Sequence, residues 1–152
     1  MSAAELASLL DERAVLRVLA EYAHALDVHD VDSWVDTFTP DGIFDVVEAG
    51  GRRLHREVGH AELTRWAQGA PPGRQRHHVL ADPLVTLDGD QARVESCWVL
   101  LERDEHAHPV VGAFGRYSDR LVKRHGRWRI AERRAEVEAS TRRPVTAGGA
   151  TA

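Results

Sequence analysis

The stretch QARVESCWVLLERD, residues 91–104, most constrains what this chain can become. Ala92, Val94, Ser96, Trp98 and Leu100 share one parity, whereas Arg93, Glu95, Cys97 and Arg103 share the other. Successive strand side chains point to opposite faces, so this is a long strand with one buried and one solvated face. Glu102 and Asp104 continue the inward parity and place an acid either at a cavity mouth or in solvent at the strand end. Asp88-Gly89-Asp90 joins this strand to RHHVLADPLVTL in a hairpin, and VVGAFGRYSDRLVKR turns at His125-Gly126 into RWRIAERRAEVE. The second half is therefore nearly all strand, and its apolar face needs a cover.

The first half supplies it. From Ala4 to about Val28, the residues Val15, Leu19, Tyr22 and Leu26 form one stripe on a 3.6-residue period. Asp30 is an N-cap for a short second helix with Trp34 and Phe38 on one face, and Pro40 with Asp41-Gly42 breaks it. IFDVV and RRLH flank Gly50-Gly51 as a short hairpin, HAELTRWAQG is a third helix burying Leu63 and Trp66, and APPGRQR is a loop. Helices first and long antiparallel strands afterwards predict an α+β fold, with helices packed on one face of a curved sheet. Residues 1–138 read as one domain, and 139–152, Gly-, Pro- and small-residue-rich without periodicity, as a disordered tail.

Composition narrows the function. With 43% hydrophobic and 29% charged residues the chain reads as soluble and globular, and a net charge of −4 leaves no basic footprint for nucleic acid. Cys97 is the single cysteine, which excludes an intrachain disulfide and a thiolate zinc cluster. No long apolar run or signal-type segment is present, so the expectation is a cytoplasmic protein without membrane contact.

Three segments, LAEYAHALDVHDVDSWVDTFTPDGIFD, RHHVLADPLVTLDGDQARVES and GRYSDRLVKRHGRWRIAER, together resemble the SnoaL-like branch of the NTF2-like superfamily, which includes scytalone dehydratase and bile-acid 7α-dehydratase type enzymes. The resemblance implies a cone-shaped barrel of three helices on a strongly bent, mixed, mostly antiparallel sheet around one deep pocket. It also implies a homo-oligomer, a dimer or larger. Fold does not fix function in this superfamily, so chemistry has to be argued from the site.

Tyr22 lies on the apolar stripe, so its phenol is buried. The resemblance makes it the tyrosine that polarises substrate. Asp27 sits about 100° from Leu26 around the helix, at the border of the stripe; the resemblance makes it the acid that pairs with a catalytic histidine. His77 and His78 face opposite ways on a strand. Alternation with Val79, Ala81, Val85 and Leu87 favours His77 as the inward one, whereas the family's spacing favours His78. A bulge near Asp82-Pro83 would reconcile the two, and His78 is the choice. Trp34 and Trp98 are assigned to the pocket wall and Glu102 to its mouth. His24, His29, His55, His60 and His125 read as surface residues. His106 and His108 share a face but match no established metal-ligand frame, so neither metal nor cofactor is expected.

The expected function is cofactor-free acid/base chemistry on a hydrophobic small molecule, in secondary metabolism: dehydration, isomerisation or cyclisation through an enolate. The alternatives are a non-catalytic small-ligand or oligomerisation module, and a dioxygenase β-subunit-like protein.

Overall fold

A computed structural model describes residues 1–69 and 76–141. Ser2 caps the first helix, α1 (Ala3–Val28), in a reciprocal capping box: its hydroxyl accepts from the Glu5 amide at 3.2 Å, and Glu5 accepts from the Ser2 amide at 2.6 Å. His29 ends α1 in the left-handed region, and Asp30 at once caps α2 (Val31–Asp36), accepting from the Ser33 amide at 3.1 Å. There follow β1 (Phe38–Glu48), β2 (Arg53–Val58), α3 (Gly59–Gly69), β3 (Arg76–Asp88), β4 (Gln91–Arg103), β5 (Pro109–Arg124) and β6 (Arg127–Ser140).

The six strands form one sheet in the order β2-β1-β6-β5-β4-β3, with β1 and β6 parallel and the other neighbours antiparallel. It is strongly curved and stays open, with β2 and β3 as its edges, rather than closing into a barrel. Val15, Val18, Leu19, Tyr22 and Leu26 of α1 pack into one core with Trp34 of α2, Leu63 and Ala67 of α3, and the buried parity of β4 from Ala92 to Leu100. The only lysine of the chain, Lys123, and the Trp128 indole both donate to Asp11 Oδ1, at 2.8 and 2.9 Å, which ties the middle of α1 to the β5–β6 hairpin.

Three expectations shift. Phe38 opens β1 instead of closing α2, because it pairs with Ile130 of β6. The predicted breaker Pro40-Asp41-Gly42 is then a bulge within β1, where the register against β6 slips between Phe38 and Ile43. At the other end, β6 continues to Ser140, so residues 139 and 140 are strand, and the tail beyond 141 lies outside the described residues. The same holds for residues 70–75 of the expected APPGRQR loop, whereas Arg76 already belongs to β3.

Irregular pairings interrupt the ladders. The β5–β6 register slips between Phe114 and Gly115, and a side chain on Gly115 would overlap the Glu136 carbonyl and lie 3.1 Å from the Glu138 nitrogen. These are backbone atoms that cannot rotate away. Gly115→Ala is therefore expected to destabilise the fold by about 3 kcal/mol, the upper end for overpacking, read as a lower urea midpoint by circular dichroism.

Candidate functional site

The site begins where α1 ends against the sheet edge. β3 pairs only with β4, so the outward amides of β3 need partners elsewhere. Asp27, in the last turn of α1, supplies one: both its carboxylate oxygens accept from the His78 amide at 3.0 Å. The same carboxylate takes the His78 ring, with Nδ1 to Oδ1 at 2.6 Å. A carboxylate at a helix C-terminus is disfavoured by the helix dipole. Here the contacts from His78 offset that cost, and Arg76 donates to the Leu26 carbonyl at 3.4 Å, bringing a cation to the helix end. A hydrogen bond from Nδ1 to the carboxylate assigns the ring proton to Nδ1 and leaves the lone pair on Nε2.

The strand turns His78 inward. The β3–β4 register slips between Ala81 and Leu84, with Asp82 at φ 51°, so the bulge near Asp82-Pro83 exists. Parity reverses across it, and His78 and Leu80 before the bulge share the sheltered face with Val85 and Leu87 after it. The His78 side chain is 12% exposed and that of His77 is 77% exposed. His77 still lies 3.6 Å from Asp27, through Nδ1, but from the solvent side.

Tyr22 is not in this dyad. Its ring lies 4.0 Å from the Arg133 guanidinium carbon and the Tyr117 ring 4.1 Å from it, the two rings meeting edge to face. These two are the only tyrosines of the chain. Arg133 Nε and Nη2 make a bidentate pair with Asp119 at 2.8 and 2.6 Å, both side chains being fully buried. Burial opposes the Arg133 charge, but Asp119 outweighs it and holds the guanidinium protonated. Burial raises the Tyr22 phenol above its ordinary range against the pull of Arg133, and raises Tyr117 further, so both stay O–H donors at neutral pH. Burial likewise pushes the Asp119 carboxyl up, with Arg133 opposing.

The other expected site residues divide. Trp98 stacks on Tyr117 at 5.6 Å and donates to the Arg116 carbonyl at 3.2 Å, while Trp34 packs against Tyr22 at 5.7 Å and against Phe38, Phe44 and Trp66. Trp98, Tyr117, Arg133, Tyr22 and Trp34 thus form one continuous chain of packed groups through the core. Glu102 is buried at the end of β4, against Gly112, where any side chain would overlap its carboxylate. Asp104 instead lies in an exposed turn, accepting from the amides of His106 and His108 at 2.9 and 2.8 Å. His55 and His60, expected at the surface, are half-buried: His55 bonds Glu57 at 2.7 Å and stacks on Trp66, and His60 bonds the Phe38 carbonyl at 3.1 Å. Among the described residues no group of three or more His, Cys, Asp or Glu is placed to hold a metal ion.

Sequence reasoning missed Arg133, Asp119 and Tyr117. RWRIAERR reads as a solvated basic run, yet Arg133 follows buried Ala131 on alternating parity and directly faces Asp119 across β5–β6. Strict alternation on β6 does not flag it, because buried Trp128 and Ile130 hold the opposite parity and the register against β5 slips between Ile130 and Glu132. Several polar atoms of this core lack hydrogen-bond partners among the described residues: Tyr22 OH, Ser96 Oγ, Arg133 Nη1, Trp34 Nε1 and Thr39 Oγ1. The Tyr22 hydroxyl nonetheless lies within hydrogen-bonding reach of Arg133 and Tyr117, which both oppose the effect of burial on its phenol. Each such atom costs about 1–3 kcal/mol when left unpaired.

A family model described as a SnoaL-like domain matches residues 7–134. No curated protein matches the chain. Among solved structures, Rv3472 from Mycobacterium tuberculosis, a protein of unknown function, is 25% identical with a TM-score of 0.79, over 97% of this chain and 82% of that one. The β subunit of a candidate aromatic-ring-hydroxylating dioxygenase from Novosphingobium aromaticivorans is 16% identical, TM-score 0.82, over 91% and 96%. A candidate scytalone dehydratase from the same organism is 20% identical, TM-score 0.73, over 93% and 97%. An NTF2-like protein with a cystatin-like fold, also from that organism, is 19% identical with a TM-score of 0.76, over 97% and 90%.

The Arg133–Asp119 pair makes a distinct energetic prediction. Removing one partner strands a buried charge, so Arg133→Met and Asp119→Leu are each expected to destabilise by about 3–5 kcal/mol, while the double variant recovers much of the loss. Urea unfolding of the three variants measures the coupling.

Proposed function

The chain belongs to the SnoaL-like domain family, and we propose that it is a cofactor-free acid/base enzyme acting on a hydrophobic, enolisable small molecule. The observation that carries this reading is the Asp27–His78 dyad, with its short Nδ1–Oδ1 bond of 2.6 Å on the sheltered face of β3. The likeness in fold to a candidate scytalone dehydratase is consistent with it.

In the proposed reaction His78 Nε2 removes a proton α to a substrate carbonyl. The C–H electron pair becomes the enolate double bond, and the carbonyl π pair moves to oxygen. Asp27 keeps the imidazole in the required tautomer and stabilises the imidazolium. Tyr22 donates its proton in a hydrogen bond to the developing oxyanion, which would give its unpartnered hydroxyl an acceptor. The imidazolium then returns the proton, either to a leaving hydroxyl, which departs as water, or to another carbon. The first outcome is a dehydration and the second an isomerisation. Trp34 and Trp98, at the two ends of this chain of packed groups, and Glu102 are the proposed substrate-facing groups beside it.

The test needs no knowledge of the natural substrate. The protein is expected to accelerate deuterium exchange at the α carbon of an activated ketone in heavy water, followed by proton NMR. His78→Ala should lower that acceleration by about 10²–10⁴, the range for a general base, while the bonds from Asp27 to the backbone amide of residue 78 keep the variant folded. Equal exchange in the variant and the parent would sink the assignment.

The β-subunit-like fold of one relative keeps a second reading in view, a partner-dependent subunit. The two readings differ in what covers the outer face of the sheet. Val79, Leu84, Leu101, Val111 and Phe114 are large, exposed and apolar on β3, β4 and β5, and Val99 pairs with both Val79 and Phe114. The enzyme reading has a second copy cover this strip. Light scattering after size exclusion should show a homodimer, and Phe114→Glu a monomer; an unassociated or insoluble parent protein favours the subunit reading. No described helix is long and apolar enough to cross a membrane.

A further inference from the structure

The tip of the β5–β6 hairpin carries an arrangement that strand pairing by itself disfavours. Arg124 and Arg127 are direct partners across the His125-Gly126 turn, and Arg129 follows Arg127 on the same parity, opposite Val122. Three guanidiniums therefore share one face of the hairpin, the face away from Trp128. Like charges set directly opposite each other destabilise a hairpin. Two carboxylates offset this in part. Asp36 accepts from Arg127 Nη2 at 2.8 Å and from Arg129 Nη2 at 2.9 Å. Asp41 lies 3.7 Å from Arg124 Nη1, an ion pair too long for a hydrogen bond. Arg120, next on this face of β5, is balanced by Glu132 at 4.0 Å. Three arginines against two aspartates leave a local positive charge on a chain whose net charge is −4.

These side chains enclose space. Arg124, Arg127 and Arg129 line a cleft of about 220 Å³ with Val122 and His125. Thr39 and Pro40 wall it from β1, where that strand leaves its ladder with β6 between Phe38 and Ile43. None of the lining residues is acidic, and Asp36 and Asp41 stand outside the lining. Donors remain available: Arg127 gives only Nη2 to Asp36, and Arg124 makes no hydrogen bond among the described residues. A planar carboxylate already takes the forks of Arg127 and Arg129. The donors left over come from both strands of the hairpin, so a tetrahedral oxyanion, with oxygens outside one plane, meets more of them. The volume is below the roughly 300–1,000 Å³ of a pocket for a whole drug-sized ligand, so the cleft takes a headgroup. A polyanion is disfavoured by the overall negative charge.

We propose that Arg124, Arg127 and Arg129 form a binding site for the phosphate group of a small phosphomonoester. Pro40 and Val122 give the ester carbon an apolar wall. The site is remote from the dyad. His78 pairs with Leu100 and Leu100 with Ala113, towards the opposite end of β5 from Arg124. It therefore stands or falls independently of the acid/base reading.

Calorimetric titration of the full chain with phenyl phosphate and with benzoate, in about 0.15 M salt to screen diffuse attraction, tests the proposal. Phenyl phosphate is expected to bind at least about tenfold more tightly than benzoate. Arg124→Gln and Arg127→Gln should each weaken it by roughly tenfold or more, the loss of a charge-assisted hydrogen bond. Arg93→Gln, which removes an exposed arginine on β4, should leave the affinity unchanged. Arg124→Gln also relieves the like-charge pair, so its thermal midpoint should hold or rise and misfolding does not obscure the result. Backbone amide shifts on adding phenyl phosphate should concentrate at residues 122–129 and at Thr39. No binding, equal or tighter binding of benzoate, an equal loss in Arg93→Gln, or amide shifts centred on His78 overturns the site.

Discussion

A single guanidinium organises this core. Arg133 of β6 lies against both tyrosines of the chain and faces one carboxylate, so α1 and β5 meet β6 at this side chain. A charge this deep is tolerable only when paired and hydrogen-bonded. Asp119 satisfies the pairing, and the two aromatic faces add cation–π attraction, which strengthens where water is excluded. The arrangement also restricts α1. Sliding or rotating the helix by one residue would carry Tyr22 off the guanidinium and leave a bare charge under the sheet, so the register of α1 is set by electrostatics as well as by its apolar stripe.

That constraint delivers Asp27 to the sheet edge. Five residues beyond Tyr22, its carboxylate reaches an amide that β3, an edge strand, leaves without a ladder partner. One side chain therefore docks the helix end, satisfies the edge and orients an imidazole. A stabilising contact and a reactive pair are here the same atoms. The edge amide holds Asp27 fixed beside His78 in the absence of any ligand, and catalytic groups benefit from such preorganisation.

The architecture was legible in the sequence because its signals are local. Alternation along 91–104 identified the buried face of β4, and Asp88-Gly89-Asp90 and His125-Gly126 marked the turns between long strands. Helical spacing in α1 put Val15, Leu19, Tyr22 and Leu26 in the core, where all four lie. Boundaries failed where a partner outweighed local preference. Phe38 follows a helix and precedes a breaker, yet pairing with Ile130 draws it into β1. His55 reads as a surface histidine in an exposed hairpin, yet Trp66 of α3 covers it.

For the site, the residue types and their order are written in the chain: a tyrosine and an aspartate on one helix and two adjacent histidines some fifty residues later. Which histidine faces inward is not, since strict alternation selects His77 and only the slipped pairing between Ala81 and Leu84 turns His78 under the sheet. Nor does the chain reveal that an arginine in a basic run is a core residue, because its partner Asp119 lies on another strand and its aromatic covers come from two further positions. Periodicity and turn chemistry act over a few neighbouring residues, so sequence alone determined the elements, their buried faces and the inventory of reactive groups. Strand register, bulges and buried charge pairing depend on residues brought together only by folding, so tertiary structure alone decided which of those groups meet.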